Sequence, residues 1–346
     1  MTATPGRDRA LGALYGLAIG DALGMPTQDL PRRRAREILS ALNFVDAPDD
    51  QLISSHTAAG TVTDDTEQAL VVARLLVEGG GHLDAHALAS RLLTWEAKVA
   101  ARGSLDLLGP STRAALAAIA AGADPTTTGR AGATNGAAMR ITPVGVAVAP
   151  EPIEDLVDAV VAADRPTHDT TIAHSGAAAV AAMVSCGVAG SGLEDAFAVA
   201  LSASRLAAAR GHWVAGPDVA SRIEWSMALA TRTRDERGST AAVDRIESLV
   251  GTSMLTQESV PAAFAIVALF ADDPWRATGE AASLGGDSDT IAAMVGAMLG
   301  AVHGLQAWPA DAVEKVRSVN ALDLESLAAQ LLDLRERTCS PEDRRR

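Results

Sequence analysis

The chain has 346 residues, a formal net charge of −14, 48% hydrophobic residues and only 3% aromatic ones. That length can bury a large core in one domain or two, and the acidic balance excludes the extended basic surface that nucleic acids require. Alanine supplies much of the hydrophobic share, a composition that suits closely packed helices and puts an all-α fold first.

Two cysteines, Cys186 in an apolar run and Cys339 in a polar tail, predict no disulfide framework and fit a reducing cytoplasm. The run Leu11 to Gly20 behind Arg7 and Arg9 resembles a signal peptide, but Asp21 interrupts it, and it reads as a core helix. No other stretch reaches membrane-spanning length without glycine breaks or charge, so no membrane partner is expected.

In chain order, residues 8–25 form a first helix rich in Gly and Ala, which lets another backbone come close. The basic piece Pro31 to Arg36 reads as a solvated helix start or as a rim for an anionic substrate, and residues 43–60 read as a loop. Thr63-Asp64-Asp65-Thr66 then opens an amphipathic helix, Glu67 to Val77, with Asp64 and Glu67 at the spacing of a capping box. Helical periodicity continues over 84–101 and 108–122, with Leu88, Leu92 and Trp95 on one face. His82 and His86 have a zinc-binding spacing but no third ligand, so they read as an exposed pair. Asp106 lies in the turn between those helices, as a cap or as an acid or base. The glycine-rich loop Gly129 to Gly136 either cradles phosphate oxygens or simply connects helices. His168-Asp169-Thr170 is predicted to open a long small-residue helix reaching Val184, with a cap and a surface His168 or with a donor to a ribose or phosphate oxygen. Further helices are expected over 192–210, 217–232, 240–250, 257–270, 275–283, 309–318 and 322–336, with Pro261 in a first turn. Gly285-Gly286-Asp287-Ser288-Asp289-Thr290 leads into the uncharged run Ile291 to Gly304, a buried helix with Asp287 or Ser288 near its cap. No strand pattern and no repeat is found.

Each acidic helix start alone is most often a cap. Asp65 and Asp287 lie about 220 positions apart. If the fold unites the two starts, four Asp carboxylates meet with the hydroxyls of Thr63 and Thr290, too much negative charge to stand unpaired. Oxygen-only ligands select Mg²⁺, Mn²⁺ or Ca²⁺, and four carboxylates could hold two ions. Such a centre is hydrolytic, and no flavin or nicotinamide fingerprint accompanies it.

Five segments together carry a resemblance. Gly20-Asp21-Ala22-Leu23-Gly24, Thr63-Asp64-Asp65-Thr66, Asn135-Gly136-Ala137-Ala138-Met139-Arg140, Thr167-His168 and Gly285 to Thr290 occur in the order and approximate spacing of the ADP-ribosylglycohydrolase family, relatives of dinitrogenase reductase-activating glycohydrolase. The chain resembles that family from about residue 8 to residue 304. The resemblance implies a compact all-α domain, assigned to residues 1–338; the charged residues 339–346 read from their composition as a disordered tail. It implies two divalent cations, Mg²⁺ or Mn²⁺, held in a cleft by Thr63, Asp64, Asp65, Asp287, Asp289 and Thr290. Gln28, Asn135, Gly136, Met139, Arg140 and His168 would line the substrate site. Asp106 looks like the Asp of the family's Asp-Ile-Gly segment, with one extra residue in Asp106-Leu107-Leu108-Gly109. Several relatives carry Glu where Gln28 stands, and an amide cannot serve as a base, so proton transfer falls to Asp64, Asp65 or Asp106. The implied activity is hydrolysis of a ribosyl glycosidic bond. An ADP-ribosylated protein, on arginine first, is the expected partner, with a smaller riboside or a non-catalytic binding role as alternatives.

Overall fold

The computed structural model describes residues 5–101 and 108–339, and no β-strand occurs among them. Among the described residues, extended backbone pairs only at two isolated bridges, Thr134 with Leu255 and Thr170 with His212. Five helices position the site: α1 (Pro5–Gly24), α2 (Asp64–Glu78), α3 (Ile153–His168), α4 (Thr171–Ala189) and α5 (Ser288–His303). The tail beyond Cys339 and the turn carrying Asp106 lie outside the described residues.

The fold is built around α1, buried from Ala10 to Gly24. Gly12, Gly16, Gly20 and Gly24 recur every fourth residue and therefore share one helix face. A methyl group at Gly12 would strike the carbonyl of Gly300, at Gly16 that of Gly296 and at Gly20 that of Ala292, so α1 and α5 touch backbone to backbone over three turns. Small residues replace aromatics as the packing material, which is why so few aromatics are needed.

Against this pair lies α4, buried from Ile172 to Val188. Its start is capped by Thr170, whose hydroxyl accepts from Ala173 N at 3.2 Å, and it stops at Gly190 in a left-handed conformation, φ 98°. By length and composition it could cross a membrane, yet 94% of that stretch is enclosed by the other helices, so it is a core helix.

Helices Ala85–Ala101, Pro110–Ala120, Leu193–Ala208, Val219–Arg237, Pro274–Ala282, Ala310–Asn320 and Leu324–Cys339 match the predicted ones to within about a turn. Residues 153–168, predicted as no helix, form α3. Its apolar period, Leu156, Val157, Val160 and Val161, is present in the sequence but framed by Pro152 and Pro166. His168 therefore closes α3 and does not open α4. Pro261 lies inside the helix Thr256–Leu269, past its first turn. The carbonyl of Gln257, deprived of its helical donor, instead accepts from Arg222 Nε at 3.2 Å.

The capping box expected at Asp64 and Glu67 is not formed. Thr63 occupies the cap without a side-chain cap bond, and Glu67 Oε2 accepts from Trp95 Nε1 at 2.6 Å. The start of α2 is buried, so its free N–H groups take an acceptor from another helix, Asp21 of α1. Arg32, Arg33 and Arg34 pair with Asp244, Glu37 and Asp50, the solvated reading of that basic piece. His82 and His86 are both exposed.

Candidate active site

Asp21 organises the first half of the site. Its Oδ1 accepts from Thr63 N at 2.9 Å and Thr63 Oγ1 at 2.8 Å. Its Oδ2 accepts from Thr66 N at 3.0 Å and Thr66 Oγ1 at 2.5 Å. Burial still pushes its carboxyl up to about 6, although these four donors pull the other way. The sequence signals for Asp21 are its isolation in an apolar run and its place in one of the family-like segments, and neither assigns it a role in the site.

The second half is the turn before α5. Gly285 and Gly286 hold φ of 74° and 64°, a region that favours glycine, and a side chain on either would collide with neighbouring backbone. Asp29 N donates to Gly286 O at 2.7 Å, Gly286 N to Leu30 O at 3.0 Å, and Asp287 N to Thr252 O at 2.7 Å. Asp287 is the cap residue of α5, and its Oδ2 accepts from Asn135 Nδ2 at 2.5 Å. Asp289 Oδ1 accepts from Thr290 N at 2.9 Å.

The fold thus brings the two acidic starts into one electrostatic neighbourhood. Burial pushes Asp65 well above the usual carboxylate range, and the charges of Asp289, Asp64, Asp21 and Asp287 add to it. Burial likewise raises Asp64 and Asp289, with Asp287 and Asp21 contributing to both, and it takes Asp287 up to about 6. Asp65 Oδ1 and Asp289 Oδ2 are buried without a hydrogen-bond partner. Hard oxygen donors with orphaned carboxylate oxygens fit a hard divalent cation. Among the described residues, however, no three or more His, Cys, Asp or Glu side chains close into a formed metal-binding group.

A cavity of about 410 Å³ opens above this cluster, bordered by Gln28, Asp64, Asn135, Gly136, Met139, Asp287 and Thr290. Asp29, Thr112, Thr252 and Glu258, none of them predicted as site residues, border it too. A larger cavity of about 1130 Å³ lies toward the helix Ala85–Ala101, with Arg74, Arg91, Trp95 and Lys98 on its wall. It contains none of the four clustered aspartates, so the smaller cavity is the candidate active site.

Two predicted substrate contacts lie elsewhere. Arg140 is fully buried and absent from the cavity wall; its guanidinium donates to Gln68 Oε1 at 2.9 Å and Thr167 Oγ1 at 2.6 Å. His168 is equally buried, with Nδ1 2.7 Å from Thr167 Oγ1 and Nε2 3.0 Å from Thr134 Oγ1. Burial, then the nearby Arg140, holds its imidazole well below the usual range and therefore neutral. It backs the cavity wall through its bond to Thr134 and through Gly136, on which a methyl group would meet its ring. In the glycine-rich loop, methyl groups on Gly129 and Gly132 would hit the carbonyls of Arg165 and Thr167, so those glycines serve the contact with α3. Asn135 and Gly136, at the loop's end, face the cavity.

A family model described as ADP-ribosylglycohydrolase matches residues 2–341. The chain is 33% identical over 330 residues to the uncharacterized protein YegU of Escherichia coli (strain K12), covering 95% of this chain and 98% of that one. It is 28% identical over 342 residues to the ADP-ribosylarginine hydrolase Tri1 of Pseudomonas putida (strain GB-1), covering 94% and 78% respectively. A solved structure described as an ADP-ribosylglycohydrolase-related protein complex superposes with a TM-score of 0.64 at 26% identity, over 95% of this chain and 98% of that one.

Proposed function

Because the chain belongs to the ADP-ribosylglycohydrolase family, hydrolases of glycosidic bonds that act on ADP-ribose conjugates, we propose that it is a divalent-metal-dependent hydrolase releasing ADP-ribose from a modified side chain, arginine first. The observation that carries this reading is the pair of buried acidic helix starts with two orphaned carboxylate oxygens beneath a cavity. Thr63, Asp64, Asp65, Asp287, Asp289 and Thr290 would hold the cations, Mg²⁺ or Mn²⁺. Bound there, they supply charge neutralisation and Lewis-acid polarisation of the ribose hydroxyls.

The chain's own residues do the rest. Asp21 fixes Thr63 and Thr66, and with them the direction of the α2 carboxylates. Asn135 donates to both Asp287 and Ser259 Oγ, so the Asp287 carboxylate cannot swing away from the cavity. Asp64 is the α2 carboxylate that borders the cavity, and we assign proton transfer at the scissile bond to it first. Asp65 is 1% exposed and lies below the cavity wall, a position suited to holding cation. The role expected of Asp106 falls outside the described residues. Gln28 supplies a neutral amide at the wall, able to hydrogen-bond a sugar or phosphate oxygen without accepting a proton. That substitution also favours a second reading, in which the substrate is a smaller riboside.

The test is release of free ADP-ribose from an arginine-ADP-ribosylated peptide, with Mg²⁺ or Mn²⁺ and with a chelator. Metal-dependent release is expected. Folded protein that cleaves a nucleoside-type riboside and leaves the peptide intact would replace the first reading by the second.

A further inference from the structure

Among the described residues, one side-chain bond ties Asp64 to the interior. Gln68, one turn further along α2, donates from Nε2 to Asp64 Oδ2 at 3.1 Å, while its Oε1 accepts from Arg140 Nη1 at 2.9 Å. Arg140 Nη2 donates in turn to Thr167 Oγ1 at 2.6 Å. Gln68, Arg140 and Thr167 are each 0% exposed, so water neither completes nor competes with these bonds.

The chemistry of the chain has one direction. A guanidinium has donors and no acceptor, so Arg140 must face the oxygen of the Gln68 amide. That leaves the NH₂ of Gln68 as the end aimed at Asp64. A glutamine alone could present either end, and with its oxygen forward it would repel a carboxylate. Arg140 therefore removes the wrong orientation of the amide. It also puts a buried positive charge beside the acidic cluster. No carboxylate lies within ion-pair distance of it among the described residues; burial lowers its guanidinium to about 10, and the fields of Asp164 and Asp64 oppose that fall, so it stays charged near neutral pH.

We propose that Gln68 and Arg140 are positioning residues that set the orientation of the Asp64 carboxylate toward a bound divalent cation. This rests on the reading that the acidic cluster holds metal.

Binding of Mn²⁺, followed by electron paramagnetic resonance on the whole chain, tests it. Gln68→Met keeps the side-chain length and removes both bonds, and it should weaken Mn²⁺ binding about tenfold or more, the usual effect of losing a partner that orients a ligand. At saturating Mn²⁺ the substrate KM should stay within about twofold of wild type, because Gln68 itself is not on the cavity wall and a bound cation would then hold Asp64 in place of the lost bond. Arg140→Lys keeps the charge but cannot fork to Gln68 and Thr167 together, so its Mn²⁺ affinity should fall between the two. It also reads the same quantity if Gln68→Met does not fold. A purely structural role would lower the melting temperature and leave Mn²⁺ affinity at the wild-type value, and that result overturns the proposal while the metal reading stands. Wild-type protein that binds no Mn²⁺ overturns both.

Discussion

Two groups of ionisable side chains lie buried in this protein, and they solve the problem of interior charge in opposite ways. In the first, His174 of α4 sits between two carboxylates, with Nδ1 3.0 Å from Asp164 Oδ2 and Nε2 3.0 Å from Asp169 Oδ1. Burial opposes an imidazolium there, yet the hydrogen bonds to Asp164 and Asp169 carry His174 up to about 9. Cation and anions come from the same chain. In the second, Asp64, Asp65, Asp287 and Asp289 raise one another's carboxyls, and none of them is in an ion pair with a cationic side chain of the described residues. An orphaned oxygen is not what separates them, since Asp164 Oδ1 is orphaned as well. The difference is the sign of the neighbours, and it teaches that a buried charge the chain does not balance for itself is where an outside cation belongs.

The comparison breaks most visibly at the carboxylates. Asp65→Asn or Asp289→Asn should reduce ADP-ribose release by at least about 100-fold, the upper end for groups that merely orient a ligand. The same variants should raise the metal-free melting temperature, because one of several mutually repelling charges is gone. Unchanged turnover would place the chemistry elsewhere. For the balanced cluster the expectation reverses. His174→Ala strands Asp164, leaves Asp169 with the half-exposed His212 at 3.5 Å, and should cost about 3–5 kcal/mol in urea unfolding, with no gain from added Mg²⁺ beyond that of wild type.

Titration sharpens the contrast with a smaller effect. The buried aspartates hold protons in the folded state up to about pH 6 or above, whereas the unfolded chain has released them above about pH 4. Metal-free stability should therefore fall as pH rises from about 4 through 6, and Mg²⁺ should restore it. The stabilisation from protonated His174 is complete below its unfolded value of about 6.5 and is lost as pH rises through about 9, with or without Mg²⁺. Melting curves from pH 4.5 to 9.5 with and without MgCl₂ would separate the two windows. The smallest expected change is Gln28→Glu, which adds a carboxylate at the cavity wall and should alter kcat/KM by less than about tenfold, or about 1.4 kcal/mol.

Much of this was legible in the sequence because it is periodic or local. The small-residue face of α1, the uncharged run of α5 and the two acidic starts all declare themselves within a few turns. What stayed hidden depends on direction. Met139 and Arg140 stand next to each other, but successive helical residues point about 100° apart, so the short turn Gly136–Met139 that sends Met139 to the cavity sends Arg140 into the interior. The exchange of partners at the start of α2 was equally invisible. Asp64 and Glu67 have capping-box spacing, and nothing local shows that Asp21, some forty residues earlier, supplies the acceptors. Gln68 escaped notice because an amide in a helix is ordinary until its neighbours are known.

The backbone contact between α1 and α5 has a bearing on how this protein can diverge. One helix carries the carboxylate that holds Thr63 and Thr66, and its glycine face locks the helix that begins at Ser288. The spacing between two acidic segments so distant in sequence is thus anchored by one helix pair, and the more than 200 residues between them reach Asp287 through Asn135 and Thr252. Insertions, lost turns or altered surfaces elsewhere in that interval can accumulate without moving the centre. A single methyl at Gly16 or Gly300, several turns from any reacting atom, should do more harm to it than most changes at the rim.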